Sequence, residues 1–221
     1  MIINHHRKFI FFKPMKTAGS SVELSLESFC SADDILTGDI ADGDFHPHTS
    51  PEVLFLKTGK KWKDYLKISI CRNPWDMTVS YYWWCMKRNS DSILIIKNQD
   101  IDSLVHEKFR LFLETESLFD LDIDKSSKPF YEKPIDWFSK VSLSFASDKI
   151  DRYLKFENIQ ADYDNLCKDL SLETSTLPRL KTNSRKISRH YSKYYSDYTR
   201  EVIEEKFSNY IDKFGYCFLQ K

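Results

Sequence analysis

Three short stretches carry residues whose types and spacing suit them to anion chemistry. The first, residues 11–26 (FFKPMKTAGSSVELSL), reads as a strand ending in Lys13-Pro-Met-Lys16 that turns through Thr17, Ala18 and Gly19 into a helix capped by Ser20 or Ser21. Backbone N–H groups at a helix start, together with the helix dipole, stabilise an anion. Small residues let the loop close around such a group, Lys16 adds a charge, and Ser20 and Ser21 add hydroxyls. A capped helix with a surface lysine has the same spelling. The string G-x-x-x-x-G-K-[ST] occurs nowhere, which argues against an ordinary ATPase or GTPase.

The second stretch, residues 68–84 (ISICRNPWDMTVSYYWW), sends Arg72 off a strand end, with Ser80 two helical turns further on. A guanidinium grips a phosphate bidentately, and a serine hydroxyl can join it. The plainer alternative pairs Arg72 with Asp76 and packs Ser80 on its helix. The third stretch, DFHPHTSPE, sets His46 and His48 just before a helix start. An imidazole titrating near neutrality suits a general base. As metal ligands the pair would need a third group, and none is apparent. Glu23 and Glu27, one helical turn apart, are further candidate bases, although such carboxylates usually form a solvated helix face.

Alternating strands and helices must position these groups. Aromatic and β-branched runs predict strands over 8–13, 65–71 and 150–156. Helices follow the first loop, with Val22, Leu26 and Phe29 on one face, and a capping box at Thr49-Ser-Pro-Glu52. Further helices are expected over 75–88, opened by Asn73 and Pro74, and over 101–116, 157–170 and 196–213. Residues 30–48, 117–134 and 171–190 read as loops, the last carrying Arg179, Lys181, Arg185, Lys186 and Arg189. This order predicts an α/β fold, a parallel β-sheet flanked by helices, in one domain spanning 1–221. Ligands of such sheets sit beyond the carboxyl ends of the strands, so both turns should face the same side.

Composition narrows the class. Lys+Arg and Asp+Glu balance at 33 each, so no global field argues for nucleic acid, although a local basic cluster is compatible with neutrality. No stretch reaches membrane length, and the apolar run 9–12 is too short for a signal-peptide core. Five dispersed cysteines without a C-x-x-C pair read as reduced thiols. A soluble, cytoplasmic protein without membrane insertion is therefore expected. Trp83 and Trp84, and the run HYSKYYSDY, read as helical packing rather than stacking platforms for a sugar or a nucleic acid.

Taken together, KTAGSS after one strand and RNPWDMTVSYY after the next resemble the carbohydrate-type sulfotransferases, which use 3′-phosphoadenosine 5′-phosphosulfate (PAPS). YLKFENIQADYDNLCKDLSL, residues 153–172, is similar to the family's strand-F-E-N segment, and the C-terminal stretch from residue 177 to its end, so nearly the whole chain is covered. One departure stands out: the family places proline immediately before the lysine, whereas here Met15 holds that place and Pro14 precedes it. The resemblance implies a P-loop-NTPase-like sulfotransferase fold. It implies that Lys16, Thr17, Ala18, Gly19, Ser20 and Ser21 hold the phosphosulfate, that Arg72 and Ser80 hold the 3′-phosphate, and that Arg185 closes over the nucleotide. It also implies His48 as the base, since the family has a histidine before a similar helix start. The expected activity is sulfuryl transfer to an acceptor hydroxyl, with a saccharide the expected acceptor and no metal required. A non-catalytic nucleotide- or glycan-binding module and a kinase-like phosphotransferase are the alternatives.

Overall fold

In a computed structural model, residues 1–37, 45–87, 101–114, 133–180 and 189–220 are described. They form two compact units, Met1–Arg72 with Ser142–Leu180, and Asn73–Val141 with Lys181–Lys221. The chain read from its sequence as one domain passes from the first unit to the second directly after Arg72.

The first unit holds a five-stranded sheet. Its strands are β1 (Ile2–Asn4), β2 (Phe9–Phe11), β3 (Ile35–Leu36), β4 (Leu66–Cys71) and β5 (Arg152–Lys155), in the order β3-β1-β2-β4-β5. The expectation of a parallel sheet holds for β2, β4 and β5, where Phe11 pairs with Ile68 and Cys71 with Lys155. It fails at the other edge, because β1 runs antiparallel to both β2 and β3. A strand three residues long carries no periodicity to read. The tight turn after Asn4 makes β1, and burial of Ile2 and Ile3 holds it.

Helix α1 (Gly19–Glu27), α2 (Pro51–Thr58) and α6 (Ile159–Asp169) belong to this unit. Phe9, Phe11, Ile68, Ile70 and Leu154 are packed with Val22 and Leu26 of α1 and with Tyr163, Leu166 and Cys167 of α6. The period of two along the strands therefore meets the period near four along the helices in one core. Two helix starts differ from their expected caps. Helix α1 is preceded by Ala18 and has no side-chain cap, in place of Ser20 or Ser21. Helix α2 is capped by Ser50 rather than Thr49; the Ser50 hydroxyl accepts the Val53 N–H, with Pro51 at the first helical position.

The second unit contains α3 (Pro74–Lys87), α4 (Ile101–Glu114), α7 (Asp197–Lys206) and α8 (Ser208–Phe214). Most of α5 (Pro134–Leu143) joins them. Asn73 opens α3 by accepting the Trp75 and Asp76 N–H groups on its side chain. Its core is aromatic: Tyr81 stacks on Phe138 with ring centroids 4.1 Å apart, and Trp83 donates its indole N–H to Tyr194 at 2.9 Å. Trp83, Tyr191, Tyr194 and Tyr195 are buried, which is the packing role expected of them. The expected helix over 196–213 is two, because the buried Phe207 leaves the helical region at φ −115°, ψ 16°. Among the described residues all five cysteines are free, and no helix is long and apolar enough to cross a membrane.

Candidate anion-binding site

Three neighbouring parallel strands of the first unit deliver their following residues to one edge of the sheet. Strand β2 leads into the Lys13–Ala18 loop, β4 into Arg72, and β5 into Phe156 at the start of a short 3₁₀ turn, Phe156–Asn158. This is the carboxyl end of the sheet, where the sequence placed the site.

The loop is strained at two points. Lys16 and Ala18 both take positive φ, 60° and 64°. For a residue with a Cβ this left-handed conformation costs about 1–2 kcal/mol, so the surroundings must hold it. Thr17, wholly buried between them, donates its hydroxyl to the Pro14 carbonyl at 3.1 Å and staples the loop to its own start. Left-handed Ala18 followed by right-handed Gly19 turns successive N–H groups the same way, a concavity that suits an anion. Helix α1 then begins with no side-chain cap and no acidic residue in its first turn. The Ser21 N–H closes the first turn on the Ala18 carbonyl at 2.9 Å, and the positive pole of the helix dipole there favours an anion.

Gly19 is required by its neighbour. A Cβ there would lie 2.5 Å from Cγ of Lys13, whose side chain runs beneath it. Lys13 is only 1% exposed and pairs with Glu23, whose other oxygen accepts from the Met1 nitrogen at 2.7 Å. Glu23 is thus buried and engaged by cations, not part of a solvated face, while Glu27 is exposed. Lys16 is half-exposed on the loop above.

Arg72 ties the two sequence motifs together. Its guanidinium donates to the Lys16 carbonyl at 2.5 Å and lies over the Phe156 ring at 3.8 Å. It is buried, so its guanidinium is held in a fixed plane between ring and loop and braces the strained loop. The sequence reading assigned Phe156 no role; its F-E-N context was the available signal.

The two histidines of the HPH segment are distinguished by their hydrogen bonds. Nδ1 of His48 lies 2.7 Å from the Lys13 carbonyl, which can only accept, so Nδ1 carries the proton. Neutral His48 therefore presents Nε2 as a lone pair. Nδ1 of His46 accepts the His48 backbone N–H at 3.1 Å, so neutral His46 presents Nε2–H, a donor. Burial pulls the His48 imidazole below its ordinary 6.5; the bond to the Lys13 carbonyl opposes this, and the Lys13 and His46 charges reinforce it. Near neutral pH His48 is thus an unprotonated base of fixed tautomer, three residues upstream of Lys16 through its bond to Lys13. Of the carboxylate alternatives, Glu23 is neutralised by its partners.

Not every expected residue joins this group. Ser20 is half-exposed in the first turn of α1, whereas Ser21 is buried and accepts the Leu180 N–H on its hydroxyl at 3.4 Å. Ser80 lies two turns into α3 and belongs to the second unit. Arg185 lies outside the described residues, as do 38–44, 88–100 and 115–132, which take in parts of the expected loops 30–48 and 117–134. A cleft of about 670 Å³ lined by His5, His6, Arg7, Ser28 and Asp33 among others opens at the other end of β2, away from Lys16.

Fold and geometry define a mixed α/β protein whose strand–loop–helix turn, a candidate anion cradle, lies at the carboxyl end of three parallel strands. Comparisons with protein-family models, curated proteins and solved structures return no match to this chain.

Proposed function

We propose that the chain is a PAPS-dependent sulfotransferase acting on an acceptor hydroxyl, with a saccharide as the favoured acceptor class. The observation that carries this reading is the bond from Arg72 to the Lys16 carbonyl, 56 residues away in sequence. It joins in one site the two motifs that each admitted a plainer explanation.

Bound PAPS supplies a sulfuryl group already activated by a phosphate leaving group. The protein's part is positioning and charge stabilisation, as in phosphoryl transfer. The loop from Lys16 to Ser20 and the start of α1 cradle the phosphosulfate, with Lys16 neutralising charge that grows on the bridging oxygen. Arg72 holds a second phosphate and keeps the loop in its strained form. Ser80 and Arg185, which the resemblance puts on the 3′-phosphate and over the nucleotide, carry no part of this reading. His48 Nε2 takes the proton from the acceptor hydroxyl as its oxygen bonds to sulfur, while the bridging S–O bond breaks towards the phosphate.

The test combines label transfer from radiolabelled PAPS to a panel of hydroxyl acceptors with calorimetric binding of 3′,5′-bisphosphorylated adenosine. Lys16→Ala should lower turnover roughly 100- to 1000-fold, the loss typical of a removed oxyanion donor. Arg72→Ala should weaken nucleotide binding. His48→Ala should cut turnover about 100-fold or more while leaving nucleotide affinity nearly unchanged. Intact binding and turnover in both Lys16→Ala and Arg72→Ala would refute the assignment. Nucleotide binding without transfer to any acceptor would instead make the chain a binding module.

A further inference from the structure

The chain is neutral overall, but its charge is unevenly placed. Residues 57–67 (KTGKKWKDYLK) hold five lysines against one acid, Asp64. The turn between β1 and β2 adds Arg7 and Lys8, and the Leu66 N–H donates to the Lys8 carbonyl at 2.8 Å, setting the two segments side by side. Trp62 is their hub at 4% exposure. The Lys61 ammonium lies 4.8 Å over its ring, the His5 and Phe45 rings are 6.1 and 6.3 Å away, and Lys57 lies 5.8 Å over Phe45. Lys57, Lys60, Lys61 and Lys63 are exposed. This basic surface occupies the amino-terminal end of β2 and β4, opposite the end that carries Lys16 and Arg72.

Helix α2, which leads directly into this lysine-rich segment, exposes aliphatic side chains. Leu56 on α2 is 87% exposed and Val53 43%. Their spacing of three puts them on one face of α2, next to Lys57 and just before Lys60. That combination separates the anionic partners. Single-stranded nucleic acids gain from exposed aromatic rings on which bases stack, and the tryptophan here is buried. A negatively charged bilayer gains from lysines at its headgroups and from an aliphatic side chain reaching the acyl boundary.

We propose that α2 and the lysine-rich loop after it form a docking surface for an anionic lipid bilayer. Lys57, Lys60, Lys61 and Lys63 lie among the headgroups, and Leu56 inserts at the acyl boundary. The docking is peripheral and leaves the Lys16 end of the sheet facing away from the membrane. It stands independently of the transferase reading, since its readout is vesicle binding.

The experiment is flotation of the full chain with vesicles of phosphatidylcholine alone or mixed with phosphatidylserine. Binding is expected only to the mixed vesicles, and it should fall as salt is raised from about 0.1 M to about 1 M, which shortens the screening length from roughly 10 to 3 Å. A K60Q/K61Q/K63Q variant should bind roughly a hundredfold more weakly, about fivefold per lysine. Leu56→Ser should weaken vesicle binding up to about tenfold while leaving retention on immobilised heparin unchanged. All these side chains are exposed, so unchanged thermal melting will show that the variants fold. Absence of binding to either vesicle, equal binding to both, or an effect of Leu56→Ser on heparin retention overturns the proposal. Retention on heparin or RNA without vesicle binding also overturns it and assigns the lysines to a soluble polyanion.

Discussion

Gly19→Ala puts the packing beneath the Lys13–Ala18 loop to a direct test. Alanine is the better helix former, and Gly19 opens α1 with ordinary backbone angles, so local propensity predicts a gain of up to about 1 kcal/mol. Packing predicts the opposite. The new Cβ would sit 2.5 Å from Cγ of Lys13, with Cδ at 3.4 Å and Cβ at 3.5 Å. Lys13 cannot swing aside freely, because its stem is buried and its ammonium is held by Glu23. Overpacking of this kind costs about 1–3 kcal/mol. The expected net loss is about 1–2 kcal/mol, or roughly 2–8 °C in Tm at 2–4 °C per kcal/mol for a chain of this length. The measurement is urea and thermal unfolding of Gly19→Ala, Lys13→Ala and the double variant. With Lys13 shortened, only the ordinary 3.5 Å contact to its Cβ remains, so Gly19→Ala should become neutral or stabilising. The cycle should then show a coupling of about 1–3 kcal/mol. A Gly19→Ala variant that melts no lower than the parent sinks the argument, as does additivity of the two changes.

Three further outcomes follow from the same geometry. Ala18→Gly removes a left-handed alanine costing about 1–2 kcal/mol but adds about 0.5–1 kcal/mol of unfolded-state freedom; a net gain near 0.5 kcal/mol is expected by urea unfolding, and a loss contradicts the strain at φ 64°. Glu23→Gln leaves the Lys13 ammonium buried without its counter-charge and should cost about 3–5 kcal/mol; a change under about 1 kcal/mol in the same assay contradicts that pairing. His48 has a folded-state pKa below its unfolded 6.5, so the unfolded chain binds the extra proton first. Its contribution to stability is complete above about pH 6.5 and falls away as pH drops towards the folded value; under the proposed function, transfer activity should fall over the same acidic limb. His48→Gln should flatten the stability change across that range, and an unaltered profile would place the titration elsewhere.

Much of the fold was legible because it rests on local pattern. The strands at β2, β4 and β5 announce themselves through aromatic and β-branched runs, and α6 through apolar residues at helical spacing. Elements that exist only through their neighbours were not legible. Strand β1 is defined by pairing with β2, and α5 followed a segment read as loop although Pro134 at its start, with Ile135 and Phe138 buried, matches an ordinary helix opening. The caps also moved by a residue or more. Which residue caps a helix depends on where the backbone turns, and at α1 that turn is set by strained Lys16 and Ala18 rather than by the available serines.

The sequence by itself determined the chemistry on offer: a lysine in a small-residue turn after a strand, an arginine after the next, and a histidine before a capped helix. It determined the side of the sheet for the lysine and the arginine as well, because strand-to-helix turns of parallel strands emerge together. The histidine was placed only by its bond to the Lys13 carbonyl. Only the tertiary structure decided how these groups engage. Arg72 reaches the Lys16 carbonyl and the Phe156 ring through three strands laid edge to edge, a proximity that no local pattern encodes. The two rings take opposite tautomers, His48 with a bare Nε2 and His46 with Nε2–H, because a carbonyl accepts and a backbone N–H donates, and the fold set one of each against them. Gly19 looked like flexibility for an anion, yet its missing Cβ makes room for a buried lysine beneath the loop.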